Sequence, residues 1–268
     1  MTDDDLSPGL TALARIRFVL VETSLTGNQG AVARAMKTMG LEQLALVNPR
    51  HAPDAEALAR AAGADDILQR TRIHDSLPGA LGDCRLVIGA SARRRAIEWP
   101  LLSPAAAARH LLEEAARGPV ALVLGRESSG LSNDELAHCH YLTQIPANPA
   151  FSSLNLAAAA QVFAYEIRQA WLAENAAHDT APDAPPTAAR ETLDTASAED
   201  MAGFFEHLRE TLIRVGFAKP EQSHKLLRRL RRLFNRARPD RTELNILRGM
   251  LKALGRAADA DNTAANNN

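Results

Sequence analysis

The chain has 268 residues, 46% of them hydrophobic and 24% charged, with a formal net charge of −1. That balance belongs to a globular protein able to bury a core in one large domain, or in one domain plus a smaller one. No apolar run approaches the roughly 20 residues that span a bilayer. The start, MTDDDLSPGL, lacks the basic and then apolar pattern of a secretory leader, so no membrane association is expected and the cytoplasm is the expected compartment. Cys84 and Cys139 lie far apart without CxxC spacing, which argues against a disulfide framework or a zinc site; no metal is expected.

Residues 1–14 read as a tail. IRFVLV at 16–21 is short, apolar and β-rich, the pattern of a buried strand. Turn-forming TSLTGN follows, then an Ala/Met-rich helix over 29–39 that Gly40 ends as a C′ residue. LALV at 44–47 is a second strand, stopped by Asn48-Pro49. A helix over 54–61, the strand RLVIGA at 85–90, and a helix capped by Ser103 with Pro104 in its first turn continue the alternation. VALVL at 120–124 is a further strand, and a long Ala-rich helix runs from near Ser153 to about Trp171. Strands alternating with helices imply an α/β fold with a parallel sheet. Continuous apolar strands imply that both sheet faces are covered.

Composition changes near residue 174. Residues 174–198 are rich in Ala, Pro, Asp and Thr without apolar period and read as a linker. The domain expected before it covers 15–173. Three helices are expected in 199–256. The first has an apolar stripe of Met201, Phe204, Phe205, Leu208, Leu212 and Val215, and the third starts with Asp240 and Glu243 as a capping box. Residues 257–268 are polar and expected to be disordered. Residues 201–256 hold 14 Lys and Arg against 5 Asp and Glu, a balance of +9, on a body that carries −10. A basic segment on an acidic body suits a polyanionic partner, or else a solvated helix face. Lys225, Arg229, Arg232 and Arg236 fall on one helical face and are the expected contacts to such a polyanion.

There is no GxGxxG after the first strand and no GxxxxGK[ST], so dinucleotide and P-loop chemistry are not indicated. Three small-residue loops instead sit at strand ends: Gly89–Arg93, Gly125–Leu131, and Ile145–Pro149 running into Phe151–Leu156. Ligands of open α/β sheets bind outside the carboxyl ends of strands. The alternative readings are a plain turn with a surface ion pair for the Gly125 loop and a helix cap for Ser153. Asn28 precedes a helix that carries Arg34, and Gly30 would clear space one turn before that side chain. Arg34 suits a phosphate, or an ordinary surface salt bridge.

Taken together, Asn28–Lys37, Leu124–Leu131 and Ile145–Leu156 resemble the three ordered motifs of SPOUT-class 2′-O-methyltransferases. LRRLFNRAR at 230–238 followed by NILRG at 245–249 resembles the TrmJ branch, which methylates the ribose of nucleotide 32 in the tRNA anticodon loop. The resemblance implies a deep trefoil knot, a homodimer with its site composed near the subunit interface, S-adenosyl-L-methionine as cofactor and tRNA as substrate. It implies that Ala90, Ser91, Ala92, Gly125, Ile145, Ser152, Ser153 and Leu154 line the cofactor. Asn28, Arg34, Glu127 and Asn155 would surround the reacting centre. Gln29 and the pair Ser128-Ser129 depart from the common pattern and are expected to tune the RNA contact. The competing expectations are a relative that acts on rRNA or another tRNA position, and an RNA-binding relative without catalysis.

Overall fold

The computed structural model describes residues 12–92, 100–180, 195–220 and 223–266. Arg93, residues 1–11 of the expected tail and residues 181–194 of the expected linker lie outside these. The chain divides into two compact units, Met1–Ala189 and Arg190–Asn268. Among the described residues no helix is long and apolar enough to cross a membrane.

The first unit runs β1 (Ile16–Val21), α1 (Thr26–Thr38), β2 (Gln43–Val47), α2 (Ala55–Ala61), α3 (Asp65–Arg70), β3 (Arg72–His74), α4 (Leu77–Leu81) and β4 (Leu86–Ala90). It continues with β5 (Leu101–Leu102), α5 (Pro104–Ala115), β6 (Val120–Leu124), α6 (Asn133–Leu136), β7 (Tyr141–Thr143) and α7 (Leu156–Thr180). Every strand pair is parallel, in the order β3-β2-β1-β6-β4-β7-β5. The expected α/β parallel sheet is thus present. Its central strands are buried on both faces, with Phe18, Ile88 and Leu122 on one and Val19, Val87 and Val123 on the other. That is why their sequences read as unbroken apolar runs. The last strand, β7, lies inside the sheet between β4 and β5, so its carboxyl end joins those of β4 and β6 in the middle of one edge.

Several boundaries differ from the sequence reading. Ala12 and Leu13 belong to the core rather than to a tail, because both are buried in the same cluster as β1. Helix α7 starts at Leu156 rather than near Ser153. The Asn155 side chain caps it, its Oδ1 accepting from Ala157 N at 2.9 Å and Ala158 N at 3.3 Å. The same helix continues past Trp171 to Thr180, through Leu-Ala-Glu-Asn-Ala-Ala, which lacks an apolar period yet is mostly of good helix formers. Elements β3, β5, β7, α3, α4 and α6 have two to six residues each, too short for a periodic signal. Ser103 caps α5 as expected, and Gly40 ends α1 with φ +78°.

The second unit holds α8 (Ala198–Arg214), α9 (Ser223–Ala237) and α10 (Arg241–Asn266). Met201, Phe204, Phe205 and Leu208 form its core with Leu244 and Leu251, and Phe234 packs edge-on against Phe204 at 4.9 Å. Val215, expected on this stripe, is exposed, because α8 ends at Arg214. The Asp240–Glu243 capping box is present in both directions. Ser197 and Asp200 form a second one at the start of α8, so order begins inside the expected linker. At the other end α10 continues to Asn266, so residues 257–266 are helical rather than a disordered tail. Both cysteines are buried, and burial pushes each thiol up to about 12.

Gly30 does not make room beside Arg34. A Cβ at this position would lie 1.9 Å from the Ala57 carbonyl oxygen on α2, so the missing side chain lets two helices touch. Gly30→Ala is expected to destabilise the protein by about 3 kcal/mol through overpacking, measured as a lower urea midpoint with unchanged m-value.

Candidate active site

The loop after β6 folds back on itself. A Cβ on Gly125 would lie 2.3 Å from the Gly130 carbonyl carbon, so only glycine fits. Gly130 takes φ +67° and donates its N–H to the Arg126 carbonyl at 2.9 Å. The Arg126 guanidinium then fastens the loop on three sides. It donates to both Glu135 oxygens at 3.0 and 2.8 Å, to Glu22 Oε2 at 2.9 Å and to the Gly130 carbonyl at 3.2 Å. The surface ion pair that the sequence allowed here is thus a staple joining β1, α6 and the loop. Burial pushes the Glu135 carboxyl up, but hydrogen bonds from Arg126 and Ser132 outweigh it and hold its pKa below the ordinary value.

The next residue faces the other way. Glu127 accepts from Ser24 N and Oγ, each at 3.1 Å, from Leu25 N at 3.3 Å and from Asn28 Nδ2 at 2.9 Å. Asn155 Nδ2 donates to Asn28 Oδ1 at 3.1 Å. Glu127, Asn28 and Asn155 therefore form one chain linking the loop after β6, the start of α1 and the cap of α7. Burial pushes the Glu127 pKa up, but the donors, led by Asn28, bring it below the usual value and favour the carboxylate.

Between these loops lies an open cavity. Its wall includes Ala90, Ser91, Ala92, Gly125, Ile145, Ser152, Ser153 and Leu154, which are all eight residues expected to hold the cofactor. Glu127, Ser128 and Ser129 also line it, while Leu156 and Phe163 supply an apolar floor. Thr143 Oγ1, at the end of β7, is fully buried in this wall and has no hydrogen-bond partner among the described residues. Ser153 does not cap α7; it faces the cavity.

Of the four residues expected around the reacting centre, the structure joins three. Glu127 lines the cavity, and Asn28 and Asn155 are tied to it by hydrogen bonds; Arg34 is exposed on α1 and makes no hydrogen bond or ion pair with another described residue. Gln29 is fully buried, which excludes the expected RNA contact. Its Nε2 instead donates to Thr23 Oγ1 at 3.2 Å and to the His51 carbonyl at 2.9 Å, tying the loops after β1 and β2 together. In the second unit, Lys225, Arg229 and Arg236 are exposed and Arg232 is half-buried, all on α9; Arg231 lies over the Phe205 ring at 4.8 Å. Sequence reading missed Ser24, Thr143 and the staple role of Arg126. A hydroxyl after a strand or at the end of a three-residue strand gives no pattern, whereas Arg126 beside Gly125 was a usable signal.

Arg126→Ala leaves Glu22 and Glu135 without their shared cation. It is expected to destabilise by about 2 kcal/mol, between the ranges for exposed and buried pairs. Because the folded-state pKa of Glu135 is lowered, the pair's contribution is complete above the unfolded value of roughly 4.3 and fades as pH falls through the folded value. Chemical denaturation at pH 7 and at about pH 3.5 should show the gap between wild type and variant narrowing in acid.

Residues 15–165 match the SpoU rRNA Methylase family, and residues 199–263 match the tRNA methyltransferase TrmJ C-terminal domain. The chain is 51% identical over 242 residues to the tRNA (cytidine/uridine-2′-O-)-methyltransferase TrmJ of Klebsiella pneumoniae, covering 90% of this chain and 97% of that one. Among solved structures, TrmJ from Z. mobilis is 31% identical with a TM-score of 0.77, over 90% of this chain and 99% of that one. A probable methylase family protein from Haemophilus influenzae is 41% identical with a TM-score of 0.60, over 93% and 99%. On the strength of both matches, the chain belongs to the SpoU methylase family, in its TrmJ-type branch.

Proposed function

We propose that this chain transfers a methyl group from S-adenosyl-L-methionine to the ribose 2′-hydroxyl of nucleotide 32, cytidine or uridine, in the tRNA anticodon loop. It does so in the cytoplasm as a homodimer. The observation that carries the reading is a cavity at which three separated loops meet, with Glu127 in its wall and hydrogen-bonded through Asn28 to Asn155. The named activity of the relatives at 51% identity supports it.

The wall suits the cofactor. Main chain from small residues at 90–92, 125 and 152–153 allows close approach, Ile145, Leu154, Leu156 and Phe163 offer apolar contact, and the Thr143 hydroxyl is left with a hydrogen bond to make. When bound, S-adenosylmethionine supplies an electrophilic methyl on sulfur. The protein's task is then positioning and electrostatics. Glu127, fixed as a carboxylate, holds Ser24, Leu25 and Asn28 in place. Asn28 in turn sets the Asn155 carboxamide and the start of α7. Arg34 holds a substrate phosphate and polarises the 2′-hydroxyl. A guanidinium keeps its charge and is a poor proton acceptor. Its exposure on α1 fits a dimer whose site is composed near the interface. The helical second unit grips the RNA through Lys225, Arg229, Arg232 and Arg236, joined by a linker that lies within residues 174–198.

The test is methylation of a tRNA transcript with labelled cofactor, followed by nuclease mapping. Label on the ribose of nucleotide 32 is expected; label on another nucleotide, on a base or on rRNA alone would refute the assignment. Arg34→Ala should lower turnover at least about a hundredfold, the scale of losing one transition-state donor, with cofactor affinity retained; single-turnover activity at the wild-type rate would remove Arg34 from the mechanism. Replacing Lys225, Arg229, Arg232 and Arg236 with Gln should flatten the slope of log tRNA affinity against log salt by about 0.7–0.9 per lost phosphate contact.

A further inference from the structure

A second cavity opens on the far side of the loop after β6. Glu22, Ser24, Asn48, Arg50, Arg126, Glu127 and Ser128 line it. Arg126, Glu127 and Ser128 also line the first cavity, so the two share a wall. Its other residues follow β1 and β2, at the carboxyl edge of the same sheet.

The charges of this lining are not equivalent. Glu22 is paired with Arg126, and Glu127 is held by Ser24, Leu25 and Asn28. The exposed Arg50 guanidinium makes no hydrogen bond or ion pair with another described residue. The Asn48 carboxamide likewise makes none. Both are presented by a rigid wall. Asn48 takes φ +49°, a left-handed conformation that Asn tolerates better than most residues. Its N–H is anchored to the His74 carbonyl at 2.9 Å. Arg50 N donates to the Thr23 carbonyl at 2.9 Å, and Gln29 ties Thr23 to His51 from beneath. Glu22, across the cavity, also takes positive φ, +48°. Strained backbone held this firmly is characteristic of ligand clamps.

We propose that this second cavity seats the acceptor pyrimidine nucleotide, with Arg50 on a backbone phosphate and Asn48 on the base edge. The proposal rests on the methyltransferase reading above. A free guanidinium matches a phosphate bidentately. A carboxamide carries one donor side and one acceptor side. Cytosine offers a donor at N4 and an acceptor at N3, and uracil the reverse at O4 and N3. Rotating the Asn48 amide by a half-turn therefore meets either base, which gives a reader that accepts both pyrimidines without a second residue.

The test uses the full-length chain with Arg50→Ala, Arg50→Lys and Asn48→Gly, the last keeping the left-handed backbone while removing the amide. S-adenosylmethionine binding is measured by calorimetry, and methylation kinetics on two tRNA transcripts that differ only in cytidine or uridine at the methylated position. Arg50→Ala should lower kcat/KM about tenfold, mainly through KM, and flatten its log–log salt slope by about 0.7–0.9; Arg50→Lys should restore the slope. Asn48→Gly should lower kcat/KM about tenfold on both transcripts. Cofactor affinity should stay within about twofold throughout. Wild-type kinetics in Arg50→Ala and Asn48→Gly, or losses that merely track weakened cofactor binding, would overturn the proposal. A wild-type protein that binds cofactor but methylates no RNA would overturn the underlying reading and this one with it.

Discussion

The carboxylate of Glu127 is the point on which the site turns. A loop of small residues has little side-chain surface with which to fix its own shape, so its position is set by what it is tied to. Glu127 gathers two backbone N–H groups, a hydroxyl and a carboxamide. Each charged hydrogen bond of this kind is about twice as strong as a neutral one. Four donors around one half-buried anion also compensate its desolvation, which explains why its pKa falls despite burial. Arg126, one residue earlier, does the converse with a cation and two carboxylates. Adjacent residues of opposite charge thus anchor the two sides of a single turn, and Gly125 and Gly130 let that turn close.

The sheet supplies the frame for these ties. Parallel strands bring all their carboxyl ends to one edge, so residues far apart in the chain meet there without long connections. With β7 between β4 and β5, the loops after β4, β6 and β7 are neighbours, and they are the three that wall the first cavity. The loops after β1 and β2 lie on the other side of β6 and wall the second. One loop, after β6, serves both.

How much of this was legible follows from length scale. The four long strands and the seven longer helices carry enough apolar pattern to be read directly, and the small-residue loops stand out at strand ends. The cavity wall was readable because its residues belong to motifs: every one of the eight cofactor residues inferred from resemblance lies on it. What escaped is what depends on partners distant in sequence. The spacing of Gly30 and Arg34 suggested a cleared space, yet Gly30 is spent on a helix contact with Ala57. Ser153 and Asn155 are both plausible caps by residue type, and only the fold decides that Asn155 takes the role. Gln29 looked like a surface variation and is instead wholly buried. Strand β7, three residues long, could not be placed inside the sheet from any local signal.

Residues 28–30 show why such a short segment reads as a motif at all. Consecutive residues on an α-helix point about 100° apart, so three in a row reach three different surroundings. Asn28 meets Glu127 and Asn155, Gln29 fastens Thr23 to His51, and Gly30 admits α2. The first contact holds Glu127, which lines both cavities, the second stiffens the loops after β1 and β2, and the third fixes α1 against α2. A substitution at any of the three changes a different contact, yet each would disturb the same edge of the sheet. The start of α1 therefore couples the two cavities through hydrogen bonds and packing together, and the identity of each residue there is determined by a different neighbour.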